Sequence, residues 1–182
     1  MDELLVTLCR NATLGPLALG MPAGQVEKHI GQPKRVNLVQ GHDCWQRYLY
    51  RGALSLFFTC HEPAAQHQGP AWHSRHLLLN TITIDVVDGN PPEFPAPIAP
   101  GSAGSLTSWR VDDMHRLLAA NGIEMTRDDS ADDRTLSRDL DHAHVHISST
   151  VDDGFWTRIE ADWTRPVSAR RIHDSSAASL DG

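Results

Sequence analysis

Leu17-Ala-Leu-Gly-Met-Pro-Ala-Gly-Gln-Val-Glu-Lys-His-Ile-Gly31-Gln-Pro33 reads as a strand end, a tight turn, a short helix and a stop. The helix is predicted over Ala23–Ile30, where Val26 and Ile30 keep helical spacing. Gly31 supplies a left-handed cap and Pro33 cannot continue a helix, so the element ends there. A weaker copy begins at Leu106. In Leu106-Thr-Ser-Trp-Arg-Val-Asp-Asp-Met-His-Arg-Leu-Leu-Ala-Ala-Asn-Gly122, Trp109, Met114 and Leu118 stand 88 positions after Met21, Val26 and Ile30. Its helix is predicted from about Val111 to Ala120, with Asp112 and Asp113 in the first turn, where the helix dipole favours acids.

Both copies lead into strand-like runs. Trp45–Tyr50 and Ala53–Phe58 flank Arg51-Gly52, a two-residue hairpin turn with glycine at its second position. In Leu77–Val87, Ile82, Ile84 and Val86 alternate with Thr81, Thr83 and Asp85. Later strands are expected near Ala143–Ser148 and Phe155–Trp163, after a solvated acidic turn from Asp128 to Asp133. Ahead of the first helix, Asp2–Arg10 is a short apolar helix or strand and Thr13–Leu19 is extended. Residues 88–105 hold five prolines and three glycines, too many for a helix or a central strand, and form an extended connector. The expected class is α+β, built of two tandem related units, each a short helix or helical pair packed on an antiparallel sheet. The units span 1–87 and 106–165, with the connector 88–105 between them and a Ser- and Ala-rich tail, 166–182, expected to be disordered.

With 182 residues and 40% hydrophobic content, the chain can bury a sizeable core. Its first residues lack the basic region of a signal peptide, and no run approaches the roughly 20 apolar residues of a membrane span, so a cytoplasmic location is expected. Three cysteines, Cys9, Cys44 and Cys60, form no CxxC and read as reduced thiols. The net charge of −7 lies entirely in the second half: residues 1–91 hold seven acids and seven basic side chains, residues 92–182 sixteen and nine. Such a field repels phosphate backbones and attracts cationic protein surfaces. Nucleic acid is not an expected partner.

A sheet backed by helices on one side leaves its other face available. In His142-Ala-His-Val-His-Ile147 the apolar residues must face the helices, which puts His142, His144 and His146 on the open face. In the next strand Ile159, Ala161 and Trp163 turn inward, and Trp156, Arg158, Glu160 and Asp162 turn outward. A face mixing Trp and Arg anchors with carboxylates and imidazoles has the make-up of a protein-binding surface. Alternate histidines can also be two ligands of a zinc site; three in a row, about 7 Å apart along one strand, do not converge on one ion. The acids Asp128, Asp129, Asp132 and Asp133 are candidates for steering a basic partner. The long connection His61–His76, with four histidines, Trp72, His73 and Arg75, is the other candidate contact.

Catalytic signatures are missing from the sequence: there is no GxSxG elbow, GxGxxG, GxxxxGK[ST] or HExxH. Neither metal nor cofactor is expected, and the chain is not expected to be an enzyme.

Leu19-Gly-Met-Pro-Ala-Gly-Gln-Val26, Ile30-Gly31-Gln-Pro33 and the aromatic strands ending in Ile82-Thr-Ile-Asp85 resemble the LGMTxxEVxxLLGxP opening of a helix-then-strands repeat. That repeat occurs in the β-lactamase inhibitor protein, in small lipoproteins of outer-membrane assembly, and in bacterial polymorphic-toxin immunity proteins. The resemblance covers residues 14–87 well and 104–163 poorly. It implies a binding module whose tandem units present a curved open sheet to a protein. The expectation is an immunity protein, monomeric, that neutralises a cognate toxin by occluding its active or substrate-binding surface. The alternatives are a His-rich metal-binding protein or metal-dependent enzyme, and an adaptor or chaperone for a secreted effector.

Overall fold

The computed structural model describes residues 2–38, 45–50, 54–60, 77–85, 94–98, 110–130, 133–150 and 156–163. Helix α1 (Asp2–Asn11) is followed by the short strands β1 (Thr13–Leu14) and β2 (Leu17–Ala18), helix α2 (Ala23–Ile30), and strands β3 (Arg35–Leu38), β4 (Trp45–Leu49), β5 (Leu54–Cys60) and β6 (Leu77–Asp85). Helix α3 (Val111–Ala120) then leads to β7 (Thr126–Asp129), β8 (Asp133–Asp139), β9 (Ala143–Thr150) and β10 (Trp156–Trp163). The fold is α+β. Eight strands form one antiparallel sheet in the order β3-β4-β5-β6-β10-β9-β8-β7, and β1 and β2 pair apart from it.

The opening motif acts through its backbone. Gly20 sits at φ 83°, in the left-handed region that a side chain disfavours. From there its N–H reaches the carbonyl of Leu79 at 2.7 Å, while the Leu79 N–H reaches Met21 O at 2.8 Å, so the turn is stitched to β6. Val26 and Ile30 then point α2 into the core, and Gly31 at φ 84° closes it by donating to Glu27 O at 2.9 Å. At α3, Asp113 accepts the Arg110 N–H at 3.3 Å and pairs with the Arg116 guanidinium.

One core lies between the helices and one face of the sheet. Leu5, Leu8, Val26, Met114 and Leu118 meet Leu54, Leu56, Phe58, Leu77, Leu79, Ile82, Val145, Ile147 and Ile159 there. A bulge preserves that face. Phe57 stands opposite Thr81 and Phe58 opposite Leu79, so Asn80 is the extra residue, and Leu77 and Leu79 turn the same way as Ile82 and Ile84. Phe94 and Ile98, inside the proline-rich connector, are buried in this core, and an Ile98 N–H bond to Pro95 O at 2.9 Å turns the chain between them.

Among the described strands, β3, β7 and β8 are not anticipated by the sequence, and the extended lead expected over Thr13–Leu19 is a hairpin of β1 and β2. The acidic stretch read as a turn is a hairpin, with Asp128 and Asp129 in β7 and Asp133 in β8. Every residue of β7 is exposed, and Leu136 is the fully buried apolar residue of β8. Strands held to the sheet margin by backbone pairing need no alternating apolar set, and without one they carry no periodic signal. Asp2–Asn11 is a helix. The Arg51-Gly52 turn, Val86 and Val87, most of the 88–105 connector, Trp109, the His61–His76 loop, Phe155 and the 166–182 tail lie outside the described residues.

On α3, Met114 and Leu118 are fully buried, whereas Leu117 packs at the core's rim. Leu118→Ala is therefore expected to cost about 2–5 kcal/mol and Leu117→Ala less. Urea unfolding of the two variants gives the comparison, and equal midpoints would contradict this placement of α3.

Candidate protein-binding face

The residues alternating with the core positions of β6, β10, β9 and β8 make the opposite face of the sheet, and there they are almost all polar. The register aligns them in rows. Asp162 lies opposite Thr81, Glu160 opposite Thr83 and Arg158 opposite Asp85. Each row is closed by a bond: Thr81 Oγ1 donates to Asp162 Oδ1 at 2.6 Å, Thr83 Oγ1 to Glu160 Oε2 at 3.2 Å, and Arg158 Nε to Asp85 Oδ1 at 2.7 Å. On the other flank of β10, His146 stands opposite Glu160 and His144 opposite Asp162. The two imidazoles meet edge to face at 6.4 Å, and His144 Nδ1 lies 2.7 Å from Asp139 Oδ1 of β8. Toward the other edge, Arg47 donates to Ser55 Oγ at 3.0 Å and its guanidinium covers the Phe57 ring at 5.2 Å.

The centre of this face is under electrostatic tension. Partial burial, and then the neighbouring Asp162 carboxylate, raise the Glu160 pKa above its ordinary value, against the Thr83 hydroxyl and Arg158, which lower it. Burial, and then the neighbouring His144, lower that of His146, whose Nε2 is shielded from solvent and has no hydrogen-bond partner among the described residues. The bond to Asp85 raises the pKa of Arg158.

His144, His146, Arg158 and Glu160 thus come together as expected from alternation. His142 does not join them: it occupies the turn between β8 and β9, where Leu140 N–H bonds Ala143 O at 2.7 Å. The acids divide between the two faces. Both carboxylate oxygens of Asp129 accept the Arg127 Nε–H at 3.0 Å, and Arg127 also bonds Asp112 of α3 at 2.6 Å, so Asp129 belongs to the helix side. Asp128, opposite Thr135, lies on the open-face side at the sheet edge. Asp133 opens β8, its N–H bonded to Ser130 Oγ at 3.0 Å. A register shift between Trp156 and Arg158 sets the Trp156 backbone opposite Ser149, so the strict alternation assumed for β10 breaks there. The Trp156 side chain, Trp72, His73 and Asp132 lie outside the described residues.

Thr81, Thr83, Asp85 and Asp139 complete the face, and no site motif flags them. The first three alternate visibly with Ile82 and Ile84, but that β6 lies beside β10 depends on a contact between distant segments. Chemically the face offers fixed carboxylates, imidazoles and the guanidinium groups of Arg158 and Arg47. Cys9 is buried and its thiol is pushed up to about 12 by that burial, with Arg138 acting weakly in the other direction, so it stays protonated at neutral pH. Among the described residues no three His, Cys, Asp or Glu side chains gather as a metal site, and no helix is long and apolar enough to cross a membrane.

No protein-family model matches the chain, and no curated protein matches it. Among solved structures it is similar to a DUF4309 family protein (YjgB) from Bacillus subtilis subsp. subtilis, at 15% identity and a TM-score of 0.49, over 90% of this chain and 97% of that one.

Proposed function

We propose that this chain is a cytoplasmic immunity protein that binds a cognate bacterial toxin through the open face of its sheet and occludes the toxin's active or substrate-binding surface. The side-by-side placement of Glu160 and Asp162 at the centre of that face carries the reading. Partial burial and the neighbouring Asp162 carboxylate disfavour the charged form of Glu160 in the free protein. A cationic side chain of a partner seated between them relieves both effects. The bonds that Thr81 and Thr83 donate, and the one that Asp85 accepts from Arg158, hold the rows in place, so little ordering is needed on binding. The net charge of −7 steers a basic surface toward the molecule.

The same placement gives a stability prediction. A carboxyl group whose pKa is raised in the folded state contributes stability below the ordinary carboxylate range and loses it as pH rises through the folded value. Glu160→Gln is therefore expected to raise the thermal midpoint at pH 7, with the gain vanishing below the ordinary carboxylate range. In parallel it weakens toxin binding. A midpoint lowered at pH 7 would show that the Glu160 charge serves the fold instead.

Binding is measured by surface plasmon resonance against a toxin encoded beside this chain's gene. Arg158→Ala is expected to cost about 2 kcal/mol as a central anchor. Asp128→Asn, at the exposed edge, is expected to slow association and flatten its salt dependence with dissociation little changed. Full protection of toxin-expressing cells by a combined Arg158→Ala and Glu160→Lys variant would rule out the open face as the inhibitory surface.

A further inference from the structure

We propose that the two edges of the sheet recognise each other between copies of this chain, the β3 edge of one copy pairing with the β7 edge of the next. Among the described residues the sheet has eight strands, each antiparallel to its neighbours, with β3 and β7 outermost, so β3 and β7 run in opposite directions. Two copies laid side by side with their helices on the same side therefore meet as an antiparallel pair.

The edges differ in charge. Lys34 and Arg35 are exposed at β3, and Asp128 and Asp129 are exposed at β7. Between the cations and the strand end lies Val36, 47% exposed, the large apolar side chain left uncovered among the described residues. Facing decides the register. Arg35 is aligned with Leu49 and Val36 with Tyr48, so Arg35 lies on the open side and Val36 on the helix side. On β7, Arg127 is aligned with the buried Leu136 and Asp128 with Thr135, so Arg127 is on the helix side and Asp128 on the open side. Setting Arg35 opposite Asp128 places Lys34 opposite Asp129, Val36 opposite Arg127 and Asn37 opposite Thr126, and every pair shares a face. Two pairs are of opposite charge, and the hydrocarbon stem of Arg127 can cover Val36.

Charged edges ordinarily keep sheets apart. That protection works for β3 against β3, which gathers cations with no acid between them; β7 against β7 sets the two Asp128 side chains opposite each other on the open side, with Arg127 opposite Asp129 on the helix side. It does not work head to tail, where the charges are complementary. With four residues per strand the association is weak, and it is screened by salt.

Sedimentation velocity over a concentration series in about 20 mM and about 500 mM salt is the test. The wild-type protein is expected to self-associate at low salt and to run as a monomer at high salt. Arg35→Asp and Asp128→Arg, both at exposed positions, are each expected to weaken association roughly tenfold. An equimolar mixture of the two variants restores opposite charges across the contact and is expected to recover wild-type association. A wild-type protein that stays monomeric throughout, an Arg35→Asp variant that associates as before, or a mixture that does not recover would each overturn the proposal. None of these readouts depends on toxin binding.

Discussion

The pairing of β6 with β10 joins everything else in the molecule. Ile84 opposite Ile159 and Ile82 opposite Ala161 form its buried side, and these side chains lie under the helices at the middle of the core. Each fully buried isoleucine contributes about 1.5–3 kcal/mol. The alternate residues of the same two strands form the rows Thr81–Asp162, Thr83–Glu160 and Asp85–Arg158. Slipping the register by one residue would exchange these sets, placing acids in the core and isoleucines in water. The core thus holds the polar face in register.

That coupling explains how a surface with unfavourable local electrostatics persists. Glu160 beside Asp162, and His146 with a shielded nitrogen that has no partner among the described residues, are not arrangements that folding alone favours. They sit on a scaffold whose stability is gained on the opposite side of the sheet. Hydrogen bonds from Thr81 and Thr83 direct the two carboxylates. The β7 edge shows the same division: the strand is held by backbone bonds to β8, leaving Asp128 to face outward, while Asp129 is tied through Arg127 to α3.

Irregularities are placed where regular strands would misdirect side chains. The bulge at Asn80 returns Leu77 and Leu79 to the face of Ile82 and Ile84, and it coincides with the segment that receives the Gly20–Met21 turn. A regular strand would have turned both leucines to the open face. β10 carries a register shift of its own between Trp156 and Arg158.

Local order was legible from the residues themselves. Gly31 and Pro33 bounding α2, the Asp112–Asp113 start of α3, and the alternations in β6, β9 and β10 each depend on neighbours within a few positions, and for these the facing of His144, His146, Arg158 and Glu160 followed directly. Three features did not follow. The strands β3, β7 and β8 exist because a neighbouring backbone offers bonds, and a row of exposed Thr, Arg and Asp side chains carries no trace of that. His142 left the face because the chain turns at that residue, a position set by how β8 meets β9. The centre of the candidate site formed because residues near 81–85 and 158–162 are brought together by the burial of their isoleucines, and hydrophobic burial selects which distant strands meet without appearing in the spacing of either one.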